Sequence, residues 1–160
     1  MTNIIQLRDV LSKDLEIFFE HQQEKDAIYM AAFTSMDPSD LNAFNNHWEK
    51  ILGDETVLIK TIISEDYVVG HVLSYETDSK PEVSYWIGQK YWGKGIATQA
   101  LKIFLAVVNT KRTIYARVAK DNLGSIHVLT KCGFKTIEET HGFANARGAE
   151  IAEMLLILTG

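Results

Sequence analysis

The stretch Glu82–Thr98, EVSYWIGQKYWGKGIAT, carries the residue types whose spacing points to chemistry. A β-like run, Val83 to Ile87, leads through a turn at Gly88-Gln89-Lys90 to a glycine pair, Gly93 and Gly95, that opens a helix. The first turn of a helix presents backbone N–H groups with no partner inside the helix, and these attract anions. Glycine has no Cβ, so phosphate oxygens can approach the chain closely. The spacing therefore predicts a phosphate-bearing ligand seated on Trp92 to Thr98.

Two phosphate-binding patterns come close and fail. Gly88 to Gly95, GQKYWGKG, nearly matches G-x-x-x-x-G-K-[ST] between a strand and a helix, but Gly95 stands where a hydroxyl must ligate Mg²⁺. No apolar run ends in an aspartate that could anchor the metal: Val57-Leu58-Ile59 leads to Lys60, and Ile114-Tyr115 leads to Ala116. The dinucleotide pattern fails at Thr98, which replaces its third small residue, and at Lys111 to Thr113, where a ribose-binding acid is wanted. Nucleotide hydrolysis and dinucleotide redox chemistry are both disfavoured.

The elements that must hold this turn can be followed along the chain. Ile4 to Arg8 alternates as a first strand, and a helix follows from an N-cap at Ser12 to Gln23, with Leu11, Leu15, Phe18 and Phe19 at helical spacing. Tyr29 to Met36 is apolar and ambiguous. A second helix is expected from Asp37-Pro38 to Gly53, with Leu41, Phe44, Trp48 and Leu52 on one side. Three hairpin-like strands cover Thr56 to Ser64, Tyr67 to Tyr75 and Pro81 to Ile87. Ile96 to Val108 forms a helix with a broad apolar face, Thr113 to Ala119 a strand, and Leu123 to Lys131 a helix started by Asp121-Asn122 and stopped by Gly133. Phe134 to Glu138 and Ile151 to Leu158 are the last strands, parted by a loop from His141 to Gly148. This order predicts one α/β (α+β) domain over residues 1–160, with a mixed, mostly antiparallel sheet of about six to seven strands and about four helices.

A chain of 160 residues with 46% hydrophobic and 23% charged side chains has the make-up of an ordinary soluble domain. It has no 18-residue apolar run and no apolar leader, so no membrane attachment and a cytoplasmic location are expected. The single cysteine, Cys132, leaves no disulfide framework and no zinc cluster. With His127 five residues away the two side chains diverge, and Cys132 reads as core packing. No metal site is expected, since His21, His47 and His141 have no ligand spacing. The net charge of −5 argues against nucleic acid as a partner. Residues 86–135 nevertheless carry nine basic side chains and one acid, whereas residues 1–85 carry six basic and sixteen acidic ones. A basic segment coinciding with the glycine turn fits a polyanionic ligand, and the acidic remainder fits a cationic one.

Taken together, these motifs resemble the GNAT superfamily of N-acetyltransferases, closest to its ribosomal-protein-alanine-acetyltransferase-like branch. Lys90-Tyr91-Trp92-Gly93-Lys94-Gly95 matches the pattern [RQ]-x-x-G-x-[GA] except at Lys90, with Gln89 one residue early. Ala119-Lys120-Asp121-Asn122-Leu123-Gly124-Ser125 and Val128-Leu129-Thr130-Lys131-Cys132-Gly133-Phe134 match the A-x-x-N-x-x-S and V-L-x-K-x-G-F elements of that branch. The resemblance implies a sheet splayed between Val83–Ile87 and Thr113–Ala119, with acetyl-CoA lying in the opening as cosubstrate and no metal. Its pyrophosphate would sit on the amides of Trp92, Gly93, Lys94, Gly95, Ile96, Ala97 and Thr98, with charge added by Lys90 and Lys94. Main-chain groups of Trp86 and Ile87 would hold the pantetheine and the thioester carbonyl, and Asn122 and Ser125 would reach the pantetheine or the departing sulfur.

Attack on a thioester needs a free amine, and an alkyl amine with a pKa of about 10.4 is mostly protonated at neutral pH. A base must take that proton. The resemblance implies Glu82, at the head of the motif strand, with His71, Glu76 and Asp78 as rivals. For the acid, many family members place a tyrosine where Leu129 stands, which leaves Ser125 or a water, with Tyr115 and Tyr91 within plausible reach. Glu20, Glu24, Asp26, Asp37 and Asp40, in the company of Tyr29, Phe33, Phe44, Trp48 and Phe143, suit a cationic acceptor: a small-molecule amine or a protein N-terminus. Alternatives are O-acetylation, transfer of another acyl group, and a catalytically silent acyl-CoA-binding module. A homodimer pairing through Ile151 to Leu158 is also considered.

Overall fold

Residues 4–160 are described by a computed structural model of the chain. Seven strands form one sheet in the order β1-β2-β3-β4-β5-β7-β6. They are β1 (Ile5–Arg8), β2 (Leu58–Ser64), β3 (Tyr67–Thr77), β4 (Lys80–Ile87), β5 (Ile114–Ala119), β6 (Lys135–Ala144) and β7 (Ala149–Leu158). Every neighbouring pair is antiparallel except β4 with β5. The two hairpins β2–β3 and β3–β4 close on two-residue turns, Glu65-Asp66 and Asp78-Ser79, and all four residues have φ between 51° and 67°. Left-handed backbone at both central positions matches the twist of the flanking strands. β3 and β4 consequently run longer than expected, to Thr77 and from Lys80, whereas β2 is shorter, starting at Leu58 rather than Thr56.

Helices α4 (Ile96–Ile103) and α5 (Leu123–Lys131) cover one face, burying Ile96, Leu101, Phe104 and Leu129 against Val72, Val83, Ile114, Ala116 and Leu156. Past Ile103, α4 widens into a π-helical turn, Phe104–Val108, closed by the Asn109 N–H on the Phe104 carbonyl. Helices α1 (Ser12–His21), α2 (Lys25–Ala31) and α3 (Leu41–Leu52) lie on the other face, where Phe18, Phe44 and Trp48 make a second core.

Four expectations change. Ser12 is the first residue of α1 rather than its cap: Leu11 takes that place, and the buried Asp14 carboxylate accepts the Leu11 N–H at 2.8 Å, two bonds from Arg8 and one from the Thr61 hydroxyl. The ambiguous run contains the end of α2. The next helix starts at Leu41, not at Asp37-Pro38, because Asp40 caps it through the Ala43 N–H while Asp37 folds a turn with Ser39. Finally, β6 runs to Ala144, reducing the last loop to residues 145–148. Strand β7 is paired on both sides, by β5 and β6, so it cannot add a strand from a second copy. Among the described residues, no helix is long and apolar enough to cross a membrane.

Candidate active site

β4 and β5 meet at one residue pair, Glu82 with Tyr115. Beyond it β4 pairs only with β3, and β5 only with β7. The facing backbone edges of Val83–Ile87 and Ala116–Ala119 thus line an opening, and buried backbone polar groups require partners. A bulge helps to shape this opening. Ile62 faces Gly70 but Ile63 faces Val68, leaving Val69 as an extra residue whose carbonyl accepts the Gly88 N–H at 2.9 Å. Gly70 then comes so close to β4 that a Cβ there would lie 2.1 Å from the Trp86 carbonyl oxygen.

At the far end of β4 the chain makes a 3₁₀ turn, Gln89–Tyr91, and enters α4. Gly93 and Gly95 both have φ of +76°, a conformation that side chains rarely adopt. Added Cβ atoms there would meet nothing nearer than Gln99 Nε2 at 3.9 Å, so the space over this backbone is open. Ile96 is 2% exposed and packs into the core, and with Ala97 and Thr98 it forms the first turn of α4. The Lys90 and Lys94 ammonium groups sit over the Tyr91 ring at 5.2 and 5.9 Å. The Trp92 indole N–H donates to the Ile87 carbonyl at 2.9 Å, tying the turn to β4 and occupying one main-chain group expected to face the pantetheine. Open backbone at a helix N-terminus, flanked by two lysines, fits a pyrophosphate.

The turn is also held from the other face of the sheet. Glu24 accepts the Gln89 N–H at 2.9 Å, Asp26 accepts from the Gln89 side chain at 3.0 Å, and Gly88 packs against the His21 ring, so closely that an added Cβ would lie 2.6 Å from Nε2. Glu24 and Asp26 thus each commit one carboxylate oxygen to holding Gln89.

On the α5 side, Asn122 caps the helix by accepting the Ser125 N–H at 3.2 Å and donates to the Met30 carbonyl of α2 at 3.2 Å. Both ends of its amide hold structure. The Ser125 hydroxyl lies 2.7 Å from the Tyr85 hydroxyl, in a contact where either oxygen can donate. Burial pushes the Tyr85 phenol up to about 12, against the opposing effect of the Ser125 hydrogen bond. Tyr85 is the partner of Ser125 that the sequence reading missed. Its phenol reaches Ser125 from β4, where the family's tyrosine position holds Leu129, a core residue 2% exposed.

Glu82 is 4% exposed and accepts from Arg117 Nε and from the Tyr75 hydroxyl, both at 2.9 Å. Arg117 also faces Glu153 of β7, with Nη1 3.9 Å from its carboxylate. Two carboxylates thus share one guanidinium. Burial holds the Tyr75 phenol protonated well above its ordinary range, reinforced by Glu82. Burial, the largest effect, also raises the Glu153 carboxyl, with Arg117 pulling the other way and Glu82 adding to the rise. The rival bases lie elsewhere. His71 is wedged between Phe18 and Trp48, and burial pushes it down to about 3. Glu76 pairs with Lys111, and Asp78 forms the hairpin turn at the closed end of the sheet. Tyr115 lies under Lys80, with the ammonium 5.6 Å from the ring centre. Among the described residues, no group of three His, Cys, Asp or Glu side chains could hold a metal. Among the described residues, the buried Trp86 indole N–H beside His71 has no partner, and neither have the His71 ring nitrogens.

Comparison with known proteins gives the same arrangement a family. No curated protein matches the chain by sequence. By fold it is similar to spermidine N-acetyltransferase from Vibrio cholerae, solved with CoA and spermine: TM-score 0.82, 16% identity, 97% of this chain and 95% of the other covered. RimJ of Mycobacterium smegmatis, solved with CoA-disulfide, gives a TM-score of 0.83 at 20% identity, covering 98% of this chain and 82% of its own. The microcin C7 self-immunity acetyltransferase MccE, solved with acetyl-CoA and AMP, gives 0.80 at 18%, with 98% and 92% covered. The model of the acetyltransferase (GNAT) domain matches residues 5–135, and the chain belongs to the GNAT acetyltransferase family.

Proposed function

We propose that the protein moves an acetyl group from acetyl-CoA to a primary amine by direct attack in a ternary complex. The observation that carries this reading is the β4/β5 opening, with an anion seat at Trp92–Thr98 on one side and the Glu82–Arg117–Glu153 cluster on the other. Acetyl-CoA supplies the activated acetyl thioester. Gly93 to Thr98, with Lys90 and Lys94, would hold its pyrophosphate, and the β4 edge at Ile87 would hold the pantetheine, whereas the Trp86 carbonyl turns toward Gly70 of β3. The acidic cluster carries two anions against one cation, which draws an ammonium and gives its proton a place to go. This head is built on Glu82, whose oxygens keep lone pairs beyond those used by Arg117 and Tyr75. The acceptor is a cationic small molecule or a protein N-terminus. The spermine-bound relative supports the first by analogy of fold.

The test is CoA release with a panel of spermidine, phenethylamine and an alanine-terminated peptide, alongside calorimetry with acetyl-CoA. Turnover on at least one amine is expected. Binding without turnover on any amine marks a silent acyl-CoA-binding module, and turnover on alcohols alone marks O-acetylation. The departing sulfur should be protonated through the Tyr85–Ser125 pair. Tyr85→Phe is therefore expected to lower kcat about 10-fold, leaving acetyl-CoA affinity within about twofold, because a hydroxyl with no buried partner polarises the sulfur less. An unchanged kcat would show that the pair only packs.

A further inference from the structure

Glu153 stands out as a carboxylate set within the sheet, on a strand paired on both sides. It is a half-buried carboxylate on an inner strand, and its nearest cation, Arg117, directs its short hydrogen bond to Glu82. Among the described residues, the other charged and titratable groups around it have partners of their own. Tyr75 donates to Glu82, and on the neighbouring β6 strand Glu139 takes the Lys120 ammonium at 2.8 Å. Thr140, its cross-strand partner on β6, is uncharged.

Register sets its place relative to the reacting centre. Glu82 pairs with Tyr115 where β4 and β5 still touch. Counting along both parallel strands brings Arg117 level with Ser84 and Ala119 level with Trp86. At a rise of about 3.3 Å per residue, the Trp86 level lies about 13 Å along β4 from Glu82. Glu153 is the cross-strand partner of Ala119. Tyr115, Arg117 and Ala119 share one face by alternation, and the approach of Arg117 to Glu153 puts Glu153 on that face too. Glu82 thus marks the closed floor of the opening. Glu153 stands across it at the level of Trp86, one residue before the Ile87 main chain that would hold the thioester.

We propose that Glu153 is the carboxylate that receives the acceptor ammonium and takes its proton, with Glu82 acting through Arg117 as a positioning residue. This rests on the acetyltransferase reading above. The ammonium gives one proton to Glu153, which passes it to solvent. The freed nitrogen lone pair attacks the thioester carbonyl carbon, the C–N bond forms and the C–S bond breaks. The second proton lost from nitrogen balances the one gained by sulfur. Desolvation, which lifts the Glu153 carboxyl above the ordinary carboxylate range, brings it closer to the acidity useful for this transfer.

The sign of the pH dependence follows. Glu153 must be ionised to accept a proton, so wild-type kcat/KM should fall as pH drops through its raised pKa and level off above it. Glu153→Gln can use only amine that is already free. Its kcat/KM should be about 100-fold low at pH 7 and recover as pH approaches the amine pKa of about 10. Acetyl-CoA affinity and thermal melting should match wild type, and Glu153→Asp should restore part of the rate. Glu82→Gln, which keeps neutral hydrogen bonds to Arg117 and Tyr75, should lose about 10-fold without that alkaline recovery. Carboxyl ¹³C NMR without acetyl-CoA gives a readout independent of turnover: the signal lost in Glu153→Gln should titrate above the ordinary glutamate range. A Glu153→Gln enzyme with the wild-type pH profile, a Glu153 signal in the ordinary range, or the alkaline recovery appearing in Glu82→Gln instead would overturn the proposal alone. Wild-type protein that binds acetyl-CoA yet acetylates no amine would overturn the acetyltransferase reading and this proposal with it.

Discussion

Gly95→Asp is expected to weaken acetyl-CoA binding by more than about 100-fold. The substitution acts twice. It forces a side chain onto backbone with φ of +76°, and it places a carboxylate beside the amides that would seat the pyrophosphate. A like charge about 5 Å away costs about 3 kcal/mol at an effective dielectric constant of about 20, and a loss of 2.7 kcal/mol is already about 100-fold. Strain alone is a smaller matter, since the space around Gly95 is open and nothing collides. Gly95→Ala should therefore cost only a few-fold. Calorimetry on the three proteins, with circular dichroism to confirm folding, separates the two effects. Equal affinity in wild type and Gly95→Asp would mean that the phosphates bind elsewhere.

Gly70→Ala should have the largest effect on stability and a second effect on binding. The new Cβ would lie 2.1 Å from the Trp86 carbonyl oxygen and 3.0 Å from Ile87 Cα, and both are backbone rather than movable side-chain tips. β3 and β4 must separate by about an ångström, which for overpacking in a closed interior costs about 1–3 kcal/mol or more. At about 2–4 °C per kcal/mol, the melting temperature should fall by about 5–10 °C. The displaced group belongs to Trp86, so acetyl-CoA affinity should drop as well. A variant that melts with wild type would show that the bulge at Val69 absorbs the methyl group, and that the strand spacing is not set by Gly70.

What the sequence made legible was local. The anion turn could be read because left-handed glycines at a helix start announce themselves within a few residues, and Asn122 because a cap is local too. The family motifs extended that reading to the opening between β4 and β5. The acidic cluster was not legible beyond Glu82. Its partners come from β3, β5 and β7, and only register brings Tyr75, Arg117 and Glu153 to one place. Tyr85 was passed over because it sits in an alternating strand run, where an aromatic normally means packing. A cue was available: Tyr85 shares a face with Val83 and Ile87, the face that α5 covers. The start of α3 was misplaced because Asp37 and Asp40 offer the same cap chemistry three residues apart, and only packing chooses between them.

The hydrogen bonds from Gln89 to Glu24 and Asp26 join the turn proposed to seat the pyrophosphate to the start of α2, in the acidic segment proposed to face the acceptor. Two ligand sites are thermodynamically linked when both ligands bias the position of an element they share. If seating acetyl-CoA on the turn tightens the acceptor by some factor, the acceptor must tighten acetyl-CoA by the same factor. Removing both acceptors, as in a Glu24→Ala, Asp26→Ala double variant, would sever that tie and weaken the mutual dependence, leaving each ligand closer to its own affinity. The acceptor side would then report on the donor side only through the chemistry they share.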